Sequence, residues 1–474
     1  MSRQHPLNGI SSYDVPNRPQ NNTSNSPLSS AVSRRNFLKQ SAQVAGAASL
    51  SGVLAACAAS GFGGGSSNNN GGGGGGSVTI NFWDMNWGNS SYFDIGKQLV
   101  NDFNNSHKGI NVVYRGVPWA NWYQTFTTAI GSGTQPDIST GASFMGAQFY
   151  STHNVLALDD VVDEAKKNSQ YDDFLPNSFA PMQYQGHTIT WPWAIDIRIP
   201  LYRTDLFQQA GAKVPTTWDE LRAVSKKLTA NGKYGMVNSG ADNVTEHMLE
   251  MLMINNGGGL FTPDGKLDFA TNPRNIEALR FFADLVQDGS FDPASAGYQS
   301  ADAIRAFGRG DGAILVNGPG AIAQMDAATA KNVSVLPPVA SPHGTKGTLF
   351  WVNNIIVYSG TKHPNETKAF LLWWSQNNKP LWAKGGCSPL PIRTSFYQDE
   401  LFKTPLIEAI RSQYVPIAKS ANAQATSVFP ALNPLDGDGT LVTLGQNLLG
   451  KKDFNASVQT AQAGLKKVMD SNPG

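Results

Sequence analysis

The sequence predicts an α/β protein. Short apolar strands alternate with amphipathic helices from Val78 onward, the first such unit has the parallel βαβ form, and no period of roughly 20 to 50 residues repeats. At 474 residues the chain is roughly three times a common domain length of about 150, so two or more lobes are expected. Residues 78–83 (VTINFW) read as a strand. Phe93, Leu99, Val100 and Phe103 then fall at helical spacing within 92–103, and residues 110–114 form a second strand, completing one βαβ unit. A helix over 119–130 leads through a Gly/Ser/Pro turn into a short strand at 137–140. Further along, Thr217-Trp218-Asp219-Glu220 is a capping box, in which the Thr217 hydroxyl accepts from the backbone three residues on and Glu220 reaches back. Asn272 and Pro273 stand where a cap and a first-turn proline belong, and Asn365 precedes a helix carrying Phe370, Leu371 and Trp374.

Composition removes several functions. Lys and Arg number 36 against 35 Asp and Glu, a net charge of +1, so no basic excess exists to neutralise phosphates, and no nucleic-acid partner is expected. Charged residues are only 15% of the chain, where about 25% is usual. Two cysteines, Cys57 and Cys387, allow at most one disulfide and cannot alone build a zinc site. The seven histidines show no metal-binding spacing, and neither a phosphate loop nor a nucleophile elbow is present. No metal, cofactor or catalytic residue is therefore expected.

The first 77 residues read as an address. Residues 1–32 are polar and without apolar period. Arg34-Arg35 then precede an uncharged run at 41–56, which looks like a twin-arginine export signal. That run is shorter than the roughly 20 residues needed to span a bilayer. It ends in Leu54-Ala55-Ala56-Cys57, which resembles a bacterial lipobox with Cys57 as the lipidated residue. Ordinary cleavage leaving a bystander cysteine, or an uncleaved anchor, are the competing readings. Residues 57–77, almost all Gly, Ser and Asn after Gly61, would form a random-coil tether of about 25 Å. Residues 1–56 hold Arg3, Arg18, Arg34, Arg35 and Lys39 against Asp14 alone, so the remaining chain is mildly acidic.

Seven segments in order carry a family resemblance: Ala129-Ile130-Gly131-Ser132-Gly133 with Pro136-Asp137-Ile138; Leu156-Ala157-Leu158-Asp159-Asp160; Gly186-His187-Thr188-Ile189-Thr190-Trp191-Pro192; Leu201-Tyr202-Arg203-Thr204-Asp205-Leu206-Phe207; Val214-Pro215-Thr216-Thr217-Trp218-Asp219-Glu220-Leu221; Phe307-Gly308-Arg309-Gly310-Asp311-Gly312-Ala313; and Asn317-Gly318-Pro319. Together they resemble the family 1 extracellular solute-binding proteins of ABC sugar importers, the maltose-binding protein class. The resemblance implies a two-lobe periplasmic-binding-protein fold, type II-like, with discontinuous lobes, a hinge, and ligand in the cleft. By that analogy residues 78–195 and 351–392 form the N-lobe, residues 196–350 and 393–474 the C-lobe, and the crossings fall near Asp196 and Trp351. It further implies a monomer, tethered outside the cell membrane, that captures a mono- or oligosaccharide and delivers it to a permease driven by a separate ATPase.

Eleven tryptophans suit such a ligand, because a sugar ring lays its C–H face on an indole while its hydroxyls need partners around the rim. Trp87, Trp191, Trp193 and Trp351 stand at strand ends or in loops and are the cleft candidates, with packing as the competing role. Trp119 and Trp122 are weaker ones. Trp83, Trp218, Trp373, Trp374 and Trp382 read as packing residues. Asp196 matches an acidic ligand-contacting position in maltose-binding relatives, with a hinge ion pair to Arg198 as the competing role. Asp84 and Asn86 end the first strand, where doubly wound sheets receive ligand. Asn317 and Arg393 complete the candidate set, against a turn-stabilising and an ion-pairing role respectively. The chain departs from maltose-binding relatives at Gly141, Phe144, Met145 and Gly320, so a linear maltodextrin is a poor expectation. A glycoside hydrolase hiding two distant carboxylates, or a polyamine carrier with several acids beside the aromatics, are the alternatives.

Overall fold

A computed structural model describes residues 77–472 apart from 120, 177, 426 and 427. The expected export signal, Cys57 and nearly all of the expected tether therefore lie outside the described residues. In chain order the strands are β1 (Val78–Met85), β2 (Ile110–Val117), β3 (Ile138–Gly141), a hairpin of β4 (Gln183–Tyr184) and β5 (His187–Thr188), β6 (Trp191–Ile197), β7 (Ile199–Arg203), β8 (Tyr234–Val237), β9 (Gly312–Asn317), β10 (Val333–Val335), β11 (Thr348–Val357), β12 (Leu390–Pro391) and β13 (Ala418–Lys419). One sheet has the order β12-β6-β11-β3-β1-β2, with β13 paired to the start of β11; a second has the order β10-β7-β9-β8. Each sheet is the frame of one lobe.

In the first lobe β1 lies between its parallel neighbours β2 and β3. The chain leaves β1 through the helix Tyr92–Ser106 to reach β2 on one side, then returns through the helix Trp122–Gly131 to β3 on the other. Opposite crossovers leave a crevice at the carboxyl ends of β1 and β3, the switch point of an open α/β sheet. The Tyr92–Ser106 helix buries Tyr92, Gly96, Leu99, Val100 and Phe103 on one face. Phe103 meets Phe370, which with Trp374 packs edge-on against Phe82 of β1.

Local expectations meet some differences. The strands extend past 83, 114 and 140, because Asp84 and Met85 still pair with Gly116 and Val117. The helix expected from Trp119 starts at Trp122, after Asn121 in the left-handed region at φ 57. Thr217 caps its helix by accepting from the Glu220 N–H at 3.3 Å, but Glu220 returns to the N–H and hydroxyl of Thr216, both at 2.7 Å. Asn272 caps as expected, accepting from Arg274 N–H at 3.0 Å. Asn365 lies inside its helix, which opens at Pro364.

The lobes are joined by strands running side by side. Between β6 of one sheet and β7 of the other stands a single residue, Arg198, whose N–H donates to Leu349 O at 2.9 Å and whose carbonyl accepts from the Thr348 hydroxyl. β11 makes the second passage: Leu349 and Trp351 pack with second-lobe residues, Val352 and Ile355 with the first. The chain does not change lobe at Arg393, since Phe396, Tyr397 and Phe402 still pack in the first core. Leu406 and Ile407, then Ile410 and Tyr414, pack with the cluster that holds the β7 residues Ile199 and Leu201. No helix among the described residues is long and apolar enough to cross a membrane.

Candidate ligand-binding site

The crevice at the end of β1 is walled by indoles. Trp87 stands edge-on to Trp119 (ring centroids 4.8 Å, 88° between planes) and to Trp193 (5.3 Å, 74°), and Trp119 continues to Trp122. The Trp119 N–H donates to Asn86 O at 2.6 Å, and the Trp87 N–H donates to the Thr140 hydroxyl at 3.1 Å. Trp193 is buried, yet its Nε1 has no hydrogen-bond partner among the described residues. An unpaired buried N–H costs roughly 1–3 kcal/mol.

Asp84 lies behind that wall and is fully buried. Its Oδ1 accepts from Thr140 at 2.7 Å and from Tyr92 at 3.5 Å; its Oδ2 accepts from Tyr114 at 2.9 Å. Gly96 makes room for this, because any Cβ there would collide with the Tyr114 hydroxyl. Burial pushes the Asp84 carboxyl up to about 7, against the opposing pull of the Thr140, Tyr114 and Tyr92 hydroxyls.

At the hinge, Asp196 Oδ1 accepts from Arg198 Nη1 at 2.8 Å. The Arg198 guanidinium lies 4.8 Å over the Trp351 ring and donates through Nε and Nη2 to His247 Nδ1 at 3.2 and 2.9 Å. With Nδ1 an acceptor, the imidazole proton sits on Nε2, 3.4 Å from Asp436 Oδ1. Burial and then the Arg198 charge hold His247 below its ordinary value.

On the second lobe the parallel strands β8 and β9 end at Asn238-Ser239 and at Asn317. The Asn317 amide is committed to the turn: Nδ2 donates to Ser300 at 3.1 Å and Oδ1 accepts from Gly318 N–H at 2.8 Å. Asn238 Oδ1 and Ser239 Oγ are buried without partners among the described residues. The helix Asn243–Asn255 follows with Glu246 and Glu250, both buried, and Glu246 Oε2 is also unpartnered. Burial raises both carboxyls, Glu246 well above its ordinary range and Glu250 to about 8, with Asp436 adding repulsion in each case. Where the lobes meet, Ser388 donates its N–H to Trp87 O at 2.7 Å and abuts the Gly318–Gly320 turn so closely that a Cβ on Gly320 would collide with it. Asn433 of the second lobe donates to Gln148 of the first at 2.6 Å.

The model of the bacterial extracellular solute-binding protein family matches residues 87–377. The chain belongs to that family. A binding protein of Brucella abortus (strain 2308) is 28% identical over 281 residues, which are 58% of this chain and 66% of that relative. The crystal structure of a sugar transporter from Arthrobacter chlorophenolicus A6, with bound laminaribiose, is 34% identical and superposes with a TM-score of 0.78 over 82% of this chain and 99% of that one. The GacH receptor of Streptomyces glaucescens GLA.O, studied unliganded and with acarbose, shares the fold at a TM-score of 0.68 and 24% identity, over 84% of this chain and 99% of that one.

Within this solute-binding protein the expected residues separate into two groups. Asn86, Trp87, Trp193, Asp196, Asn317 and Trp351 surround the strand ends and the hinge. Trp191 and Arg393 do not: both are buried in the first lobe and share Ser375, whose hydroxyl accepts from Trp191 Nε1 at 2.9 Å and from Arg393 Nη2 at 3.0 Å. Trp191 is packed against Phe174 and Phe179, and Arg393 is paired to Asp173 at 3.1 Å. Asp84, too, is walled off from any ligand by its three hydroxyl donors. Thr140, Asn238, Ser239, Glu246, Glu250 and His247 went unnoticed in the sequence; only the placement of Asn238-Ser239 after an apolar strand offered a signal. A groove of about 660 Å³ lies elsewhere, on second-lobe helices, lined by Trp218, Arg222, Arg274 and Glu277 among others. Among the described residues no cluster of His, Cys, Asp or Glu forms a metal site.

Proposed function

We propose that this solute-binding protein is the receptor of an ABC importer that captures a neutral mono- or oligosaccharide between its lobes and hands it, chemically unchanged, to a permease served by a separate ATPase. The observation that carries the reading is the indole wall of Trp87, Trp119 and Trp193 at the β1 switch point, with an unpartnered Trp193 N–H beside it. Aromatic faces supply stacking area, and orphaned buried donors and acceptors supply partners for hydroxyls. The laminaribiose held by the Arthrobacter relative supports a disaccharide of glucose as the first ligand to try. Two platforms and a few hydrogen bonds are enough for the roughly −8 kcal/mol of micromolar affinity. Closure follows if the ligand binds the closed arrangement better than the open one, with Arg198 and β11 as the hinge. Asn86, Asp196, Asn317 and Trp351 are the polar and aromatic residues we place beside the ligand.

In the same reading, the protein is exported by the twin-arginine route, lipidated at Cys57, and works as a tethered monomer at the outer face of the membrane. Incorporation of labelled palmitate into wild type but not Cys57→Ala tests the anchor. A thermal-shift screen over neutral sugars tests the ligand class; a rise in Tm with a sugar, and with no amine, is the expected result.

A second reading has one observation in its favour. Asp436 and Asp438 act on Glu246, and Asp436 on Glu250, within the second lobe, and Glu246 Oε2 lacks a donor among the described residues. That arrangement would suit a solute bearing an ammonium group. Spermidine and glucosamine belong in the screen for that reason, and stabilisation by them alone would favour it.

A further inference from the structure

We propose that Thr140, held by Asp84, is the positioning residue that fixes the Trp87 indole at the mouth of the first lobe and so sets how firmly that lobe grips a sugar. The proposal rests on Trp87 being a sugar platform. A threonine hydroxyl has one proton to give and two lone pairs to offer. Both lone pairs of Thr140 are taken, by the Met85 N–H at 2.9 Å and the Trp87 indole N–H at 3.1 Å. Its proton goes to Asp84 Oδ1 at 2.7 Å. Asp84 also accepts from Tyr114 and Tyr92. Surrounded by donors, the carboxylate acts as an acceptor, which leaves the Thr140 hydroxyl one orientation, with its lone pairs toward the two N–H groups.

The geometry extends past one hydrogen bond. Thr140 is β-branched and sits in a strand, so its χ1 is stiff and its oxygen stays in place. The backbone of Trp87 is held independently, its carbonyl accepting from Ser388 N–H at 2.7 Å. With backbone and indole nitrogen both anchored, the ring keeps its edge-on stance toward Trp119 and Trp193. Residues from β1, β2, β3 and the Tyr92–Ser106 helix thus meet at Asp84, which holds through Thr140 one indole nitrogen, where packing alone would need none of the polar ones. A ring that need not be ordered on binding costs the complex less conformational entropy.

The test uses Thr140→Val, which keeps the shape and removes the hydroxyl, and Thr140→Ser, which restores it, with laminaribiose as the calorimetric probe. T140V should weaken binding about tenfold and T140S should stay within about threefold of wild type. In a two-dimensional ¹⁵N–¹H spectrum, the indole resonance that Trp87→Phe removes should shift in T140V and exchange faster with water, and return in T140S. Equal losses in T140V and T140S, or an unmoved indole resonance in T140V, overturn the proposal. A Trp87→Ala variant separates the two layers: if it weakens binding while T140V does not, the positioning role is wrong; if it leaves binding intact, the platform reading fails, and the proposal's claim about grip fails with it. Should T140V not fold, Thr140→Ala, which also removes the hydroxyl, carries the test, and a Trp87 indole resonance unmoved in that variant overturns the proposal.

Discussion

The two lobes bury carboxyl groups near the ends of their parallel strands and treat them in opposite ways. In the first lobe Asp84 is given three hydroxyl donors, all from the protein, and the next side chains beyond Thr140 are indoles. In the second, Glu246 and Glu250 are buried in the company of Asp436 and Asp438, and Glu246 Oε2 has no donor among the described residues. A carboxylate saturated from within is part of a scaffold, while one left unsaturated must hold a proton or find a partner. The first lobe therefore offers a prepared apolar platform, and the second supplies polar demand.

The largest effect should separate those two surfaces. Trp87→Ala and Trp193→Ala should each cost at least about tenfold in affinity for a neutral disaccharide, since each removes stacking area worth roughly 1–2 kcal/mol. Glu246→Gln and Glu250→Gln should stay within about threefold for the same sugar, because glutamine keeps a carbonyl acceptor and gains donors. Calorimetric titration of all four variants decides it; the reverse pattern would move recognition to the second lobe and favour an ammonium-bearing solute.

Next in size is closure. Gly320 abuts Ser388 where the lobes touch, so Gly320→Val should hold them apart and lower sugar affinity about tenfold. Small-angle scattering would check this: a ligand-induced contraction present in wild type should vanish in the variant. An undiminished contraction would show that this contact does not govern closure.

Smaller effects concern pH. Glu250 titrates at about 8 in the folded protein, above its ordinary value, so it binds its proton more tightly folded than unfolded. Its contribution to stability is complete below the unfolded value near 4.3 and is lost as pH rises through about 8. Thermal unfolding followed from pH 5 to 9 should therefore show a decline that Glu250→Gln flattens, with the variant more stable than wild type at the alkaline end. Asp84 has the same sign over a lower window closing at about 7. Asp84→Asn should give the smallest shift in Tm, because the three hydroxyls that favour the charged form offset part of the cost of burying it.

Much of the fold was legible, because it rests on local patterns. Short apolar strands, the 3.6-residue stripe of the Tyr92–Ser106 helix and the caps at Thr217 and Asn272 depend on neighbours a few residues away. The site was legible only in part. Trp191 and Trp193 are two apart on one strand and equally suited to a sugar by composition, yet Trp191 meets Phe174 and Phe179 while Trp193 meets Trp87. Arg393 is a ligand candidate by sequence, with an ion pair as its competing role; the ion pair is present, but its partner Asp173 is too distant in sequence to be read there. The acidic group of the second lobe joins residues 246 and 250 to 436 and 438, a separation that no sequence period reports. Asp196 illustrates a third case: the ion pair with Arg198, two residues away, was readable as the competing role, and it is present at 2.8 Å.

The central claim is that an uncharged sugar is gripped between the lobes and released intact. Calorimetry of the purified protein with laminaribiose, followed by chromatography of the recovered ligand, tests it most directly. The account predicts one-to-one binding at micromolar affinity or tighter, abolished or strongly weakened in Trp87→Ala, with the disaccharide recovered whole. No heat with laminaribiose or any other neutral sugar of a broad panel, or glucose appearing in the recovered ligand, would contradict it.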